Sequence, residues 1–332
     1  MSDIGNFILS RHNSLLINID KDNSIRRIKK KFDLNMEWRC NHLFRLNSTS
    51  KIGKERRFNR IFKDGKCVVV PLDDSLISGA KHGLFDLDLK ISELCTAKPN
   101  GILGYIGSLS LLSQKSCDIP IILNLTASTE CSTHTNKILI TSIHRALAMD
   151  VDAVAVHINI TSIYESRMLE IVGKVSDECD KYGLPMMLIT YPRGEIFDNP
   201  LQVVENNYSN LRCECNEKYT ELVSHCVRIG FELGADIIKT HYTGSKSSFE
   251  SVVQSAQGVP LLVAGGKMQE DYDLFSMCRN AMDAGASGVC IGRNVFNRQP
   301  SQNILTVLKE IVINGISVEE AIDRINVLER CN

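Results

Sequence analysis

Three residues at the ends of apolar runs carry the chemistry available to this 332-residue sequence. Lys239 closes the run Ala235-Asp236-Ile237-Ile238, Tyr191 leads into Pro192-Arg193-Gly194, and Asp73 follows Val70-Pro71-Leu72. A neutral primary amine attacks a carbonyl, while a phenol and a carboxylate move protons on and off the adduct. A lysine at such a place can also lay its stem along apolar surface and keep its ammonium in water. Partial burial favours the uncharged amine, so the expectation is a lowered Lys239 pKa and a Schiff-base nucleophile. Taken singly, the tyrosine reads as a packed ring and the aspartate as a helix cap. Together with Lys239 they form a coherent acid–base set.

Two glycine-bearing stretches suit an anion. Ala264-Gly265-Gly266-Lys267 and Ile291-Gly292-Arg293-Asn294 each follow an apolar run. Glycines let backbone N–H groups approach a phosphate, and Gly265, Gly266, Gly292 and Arg293 are the expected phosphate-binding residues. Thr243-Gly244-Ser245 adds candidate donors. Asp74, His157, Thr243 and Lys267 are further candidate substrate contacts.

These residues need a scaffold that brings distant strand ends together. From residue 66 on, β-branched apolar runs alternate with amphipathic stretches. Eight runs are read as strands: Cys67–Leu72, Gly101–Ile106, Ile119–Leu125, Ala153–Asn159, Pro185–Tyr191, Asp236–His241, Pro260–Ala264 and Gly288–Ile291. Lys137–Met149, Tyr164–Tyr182, Tyr219–Leu233 and Asp271–Ala284 have apolar residues at helical spacing. The tail Gln302–Asn332 reads as a final helix followed by Ser317–Arg330, with Ser317 and Glu320 at capping-box spacing. The fold class expected is α/β, a (β/α)8 TIM barrel, whose catalytic groups sit at the C-terminal strand ends. An open doubly wound sheet is disfavoured because no G-x-G-x-x-G follows the first strand.

A barrel of about 250 residues leaves room for an extension. Residues 1–50 form the expected N-terminal extension and 51–332 the barrel, with a long polar insertion over Glu195–Lys218. Residues 1–65 hold fifteen Lys and Arg against seven Asp and Glu, so they carry +8 of an overall −1 and the remainder carries −9. The basic run Arg26-Arg27-Ile28-Lys29-Lys30-Lys31 has no base-reading motif beside it, so it reads as a solvated or subunit-contacting face rather than a nucleic-acid site. The N-terminus lacks the continuous apolar core of a signal peptide, and no stretch is long enough to span a bilayer, so a cytoplasmic protein is expected. The twelve cysteines read mostly as reduced core thiols. Cys213, Cys215, His225 and Cys226 lack paired zinc-ligand spacing, and no metal or cofactor is expected.

From about Ile52 to the C-terminus the sequence resembles the archaeal-type class I fructose-bisphosphate aldolases and their relatives, the 2-amino-3,7-dideoxy-D-threo-hept-6-ulosonate synthases. The resemblance rests on Val70-Pro71-Leu72-Asp73, Leu125-Thr126-Ala127-Ser128-Thr129, Val156-His157-Ile158-Asn159, Tyr191-Pro192-Arg193-Gly194 and Ala235-Asp236-Ile237-Ile238-Lys239-Thr240. Tyr242-Thr243-Gly244, Ala264-Gly265-Gly266 and Gly292-Arg293-Asn294 complete it. It implies Lys239 as the Schiff-base lysine, Tyr191 as acid/base, Asp73 as proton-transfer partner, and Gly265, Gly266, Gly292 and Arg293 as the phosphate site. It further implies a homo-oligomer acting on a phosphorylated ketose and an aldehyde, with Leu125–Thr129 closer to the heptulosonate synthases. Where the family has His and Gly after the first-strand Asp, this chain has Asp74 and Ser75, and its second run ends in Tyr105-Ile106-Gly107. A class I fructose-bisphosphate aldolase, a phosphorylated-diketone thiolase and a non-catalytic phosphometabolite-binding barrel are the competing readings.

Overall fold

The computed structural model describes residues 48–115, 117–194 and 217–330. The basic run at 26–31, most of the 195–218 insertion, Cys213 and Cys215 lie outside the described residues.

Ten strands are described: β1 Cys67–Pro71, β2 Gly101–Gly104, β3 Ile121–Asn124, β4 Thr126–Ala127, β5 Ile138–Leu139, β6 Ala153–Ile160, β7 Met186–Pro192, β8 Ile237–Thr240, β9 Leu261–Ala264 and β10 Gly288–Cys290. Eight of them close into a barrel in the order β1-β10-β9-β8-β7-β6-β3-β2, with every neighbouring pair parallel. This is the expected (β/α)8 barrel. The strands are apolar on both faces because one face fills the barrel and the other meets the helices. The interior cluster holds Cys67 and Val69 of β1, Ala153 and Ala155 of β6, Met187, Ile189 and Tyr191 of β7, Ile237 of β8, and Cys290 of β10.

The connecting helices bury one stripe each. In Glu165–Tyr182, Met168, Val172, Val175 and Cys179 recur at three- and four-residue steps and face the sheet, as helical periodicity requires. Helices Glu217–Glu232 and Asp271–Ala284 follow the same rule. After Lys309 the chain passes through a π-helical turn, Glu310–Asn314, to the helix Val318–Arg330. The capping box there is formed: Glu320 N–H donates to Ser317 Oγ at 3.1 Å and Ser317 N–H to Glu320 Oε2 at 2.7 Å.

One helical expectation is corrected. Lys137 is not the start of a helix running to Met149; Ile138–Leu139 is β5, paired antiparallel with β4, and the helix spans only Ile143–Ala148. Ser142 is the reason: its side chain accepts the Arg145 N–H and fixes the N-terminus there.

Helix Ser48–Ile61 closes the other mouth of the barrel. Phe58, Ile61 and Phe62 join the interior cluster from below. The helix also reaches the residues just ahead of several strands: Arg60 pairs with Asp118 at 2.6 Å and Asp152 at 3.0 Å, and Arg57 donates to Val151 O. Its anchor is Lys54, 3% exposed, which meets Asp236 at 2.8 Å and Asp180 at 2.5 Å. Asp236 also accepts the Met186 N–H, and so ties the helix to the starts of β7 and β8. Burial alone pulls the Lys54 ammonium down, but the two carboxylates outweigh it and raise its pKa.

Removing one member of such a set leaves a buried charge uncompensated. Lys54→Met is therefore expected to cost about 3–5 kcal/mol of stability, read as a lowered denaturant midpoint at unchanged slope. An unchanged midpoint would contradict the anchoring role.

No helix among the described residues is long and apolar enough to cross a membrane.

Candidate active site

Alternation along the strands decides what reaches the open mouth. Side chains two residues apart share a face, so the interior positions of each strand continue upward in steps of two. On β1, Cys67 and Val69 lead past Pro71 to Asp73; on β6, Ala153 and Ala155 lead to His157. On β7, Met187 and Ile189 lead to Tyr191, and on β8, Ile237 leads to Lys239. All four are buried, Lys239 at 6% exposure. The registers His157↔Ile189 and Ile189↔Lys239 put His157 and Lys239 level, with Tyr191 two residues higher on the strand between them.

Hydrogen bonds hold the acid and base groups in place. Asn124 donates to Asp73 Oδ2 at 3.1 Å and accepts the Thr126 N–H at 3.2 Å. Thr126 Oγ1 in turn accepts the His157 N–H at 2.8 Å, and the Tyr105 hydroxyl donates to Thr126 O at 3.0 Å. The second strand thus does contribute a polar group, a support rather than a substrate contact. The Tyr191 ring stacks on His241 at 4.1 Å and meets His157 edge-on at 5.1 Å. His241 Nδ1 is held by the Tyr219 hydroxyl at 2.9 Å.

The protonation pattern corrects one expectation. Burial pulls the Lys239 ammonium down, and the acidic groups facing it, Cys290, Tyr191 and Asp73, raise its pKa above the ordinary value as they ionise. Burial also raises the Cys290 thiol and the Tyr191 phenol, so both are protonated at neutral pH and the Asp73 carboxylate is the balancing anion. Burial raises Asp73 as well, against the pull of Lys239. Ammonium and carboxylate thus face each other in the buried mouth at rest, and the amine must lose a proton before it can attack a carbonyl. Burial, with the cations around it, keeps His157 well below its usual value, so it is uncharged.

Between the ends of β8 and β1 lie the glycine loops, which follow β9 and β10. Gly266 has φ 68°, which favours glycine. A Cβ on Gly292 would stand 2.9 Å from Phe296 Cε1 and 3.1 Å from Pro71 O, so only glycine fits. Buried Asn294 joins the two loops: it donates to Gly265 O at 3.2 Å and Lys267 O at 2.8 Å, and accepts the Gln269 N–H at 2.8 Å. Arg293 is half exposed and faces Asp74 at 3.7 Å. Asp74 thus lies on the phosphate side. Thr243 and Lys267 are not gathered into the site. Thr243 Oγ1 is held by Ser248 at 2.9 Å beside the next helix, and Lys267 is exposed.

Sequence reasoning gave no role to Asn124, Asn294, His134 or Lys137. Arg193 was visible in the Tyr191 block; it reaches His134 Nε2 at 3.0 Å and lies 5.5 Å from the Tyr191 ring centre. Asn124 lay inside the third run, Ile119–Leu125, as its one polar residue and is the last residue of β3. The other three depend on loops meeting in space.

An inward amine beside an acid and a protonated phenol suits imine chemistry on a carbonyl compound. Residues 67–298 match the family described as DeoC/LacD family aldolase. The chain is 33% identical over 281 residues to 2-amino-3,7-dideoxy-D-threo-hept-6-ulosonate synthase 1 of Archaeoglobus fulgidus, covering 82% of this chain and 95% of that protein. It is 30% identical over 250 residues to 2-amino-4,5-dihydroxy-6-oxo-7-(phosphonooxy)heptanoate synthase of Streptomyces griseus, covering 74% and 85%. Among solved structures, an archaeal fructose 1,6-bisphosphate aldolase superposes with a TM-score of 0.66 at 27% identity, covering 78% of this chain and 99% of that one.

Proposed function

We propose, from the premise that this chain belongs to the DeoC/LacD family of aldolases and works by the metal-independent Schiff-base route, that Lys239 is its imine-forming lysine. The observation that carries this is the convergence at one barrel mouth of buried Lys239 on β8, buried Tyr191 on β7 and buried Asp73 just beyond β1.

Lys239 passes a proton to Asp73 and attacks the ketone carbonyl of a phosphorylated ketose. Tyr191 gives a proton to the carbinolamine oxygen, which leaves as water, and an iminium remains. The iminium draws the electron pair of the cleaving carbon–carbon bond while the Tyr191 phenolate takes the proton of the adjacent hydroxyl, so the released fragment departs as an aldehyde and the donor stays as an enamine. With dihydroxyacetone phosphate the enamine forms by loss of a carbon-bound proton instead. The enamine carbon then adds to a second aldehyde, whose oxygen takes a proton, and water hydrolyses the new iminium to restore Lys239. Gly265, Gly266, Gly292 and Arg293 hold the donor phosphate.

The names of the relatives support an amino-heptulosonate-type product. The donor proposed for it is dihydroxyacetone phosphate or a deoxy-ketohexose phosphate, and the acceptor aspartate semialdehyde. A homo-oligomer in the cytoplasm completes the reading; the eight described cysteines are free thiols. Incubation with each donor and aspartate semialdehyde, followed by mass analysis, is expected to give the amino-heptulosonate adduct with activity unaffected by EDTA. Condensation only with glyceraldehyde 3-phosphate would favour a sugar-bisphosphate aldolase, and a coenzyme A requirement a thiolase.

A further inference from the structure

Lys137 is one of the largest fully buried side chains, 1% exposed, and its Nζ has no hydrogen-bond partner among the described residues. A buried ammonium without a partner is costly, and a fold that keeps one is holding it for something absent. Its backbone is fixed: it directly precedes β5 of the hairpin that leaves β3, and Asn159 donates to Thr135 O at 2.9 Å to pin that loop over β6. A second pin is Ser128, whose hydroxyl donates to His134 O at 2.7 Å.

The groups facing Lys137 are Arg193 from the end of β7, Asp73 and Asp74 from the end of β1, and the neighbouring rings of His134 and His157. Burial and Arg193 push the Lys137 ammonium down to about 8, and the two aspartates only partly offset this. Burial and the same cations lower His134 to about 4, so this ring is neutral and its Nε2 accepts from Arg193. Lys137 and Arg193 thus lie within electrostatic reach of one another at this side of the mouth.

Their location in the ring of strands is specific. In the barrel order, β3 is diametrically opposite β9 and β6 is opposite β10. The phosphate loops follow β9 and β10, so Lys137 stands across the mouth from the donor phosphate, with Lys239 and Asp73 on strands between. A ketose anchored by its phosphate and attached to Lys239 therefore presents its reacting carbon toward Lys137.

We propose that Lys137, assisted by Arg193, binds the carboxylate of the acceptor aldehyde. A monoanion fits better than a second phosphate, because Asp73 and Asp74 lie within electrostatic reach of Lys137 and repel a dianion more strongly. This rests on the Schiff-base aldolase reading above and assigns its acceptor subsite.

The test compares wild type with Lys137→Met, using dihydroxyacetone phosphate as donor and three acceptors: succinate semialdehyde, neutral butanal and glyceraldehyde 3-phosphate. Losing one side of a buried charge pair is expected to cut kcat/KM about 100-fold for the carboxylated aldehyde alone. The wild-type KM for that aldehyde should climb above pH about 8, as Lys137 loses its charge, and Lys137→Met should abolish the climb. The variant should also melt at or above wild type, because a lone buried charge has gone; Lys137→Gln serves if Met does not fold. An equal loss with butanal, or a loss confined to the phosphorylated aldehyde, would overturn the proposal. Borohydride trapping with donor alone tells the two levels apart: no adduct at Lys239 in wild type would sink the aldolase reading itself, since trapping needs no acceptor.

Discussion

Lys239→Met is expected to lose roughly 10⁴–10⁶-fold in kcat/KM, because the covalent route disappears and only substrate binding and the acid–base groups remain. The fold should survive the change. Methionine fills a similar volume among Cys290, Tyr191 and Asp73, and burial lets Asp73 take up a proton once its balancing cation is gone. An unchanged melting temperature would separate the chemical loss from unfolding. Activity within tenfold of wild type would mean that another amine forms the imine. The raised Lys239 pKa sets the sign of the pH dependence: imine formation should accelerate as pH rises above neutral, since the resting amine carries its proton.

Tyr191→Phe is expected to cost about 10²–10⁴-fold in kcat with a much smaller change in donor KM. Burial raises the Tyr191 phenol, so at neutral pH it is a proton donor poised beside Lys239. Phenylalanine keeps the ring stacked on His241 and edge-on to His157, so packing is preserved while the proton is lost. Steady-state kinetics check it, and a loss below about threefold would move the acid role to Asp73 or to a water.

The barrel was legible because each strand is a short run of apolar residues sealed on both faces. The same two-residue alternation made Lys239, Tyr191 and Asp73 readable as mouth residues, since each lies an even number of steps from interior positions. Ser317 and Glu320 were legible as a local cap. What escaped the sequence depends on distant segments meeting. Part of the Lys239 shift comes from Cys290, which reads in sequence as one more core thiol and arrives beside the amine only through barrel closure. Lys137 looked like the first residue of a helix because Ile138 and Leu139 continue a helical spacing; the Ser142 cap marks the true start. Asn294 carries no local sign that it links the loops after β9 and β10, and Lys54 none that two aspartates from later segments surround it.

Two lysines thus stand in one mouth, and imine formation distinguishes them directly. Incubation of the wild-type protein with dihydroxyacetone phosphate and borohydride, followed by peptide mass mapping, is predicted to place one reduced adduct on Lys239, with none on Lys137. An adduct on Lys137 or any other lysine, or no adduct at all, would contradict the account.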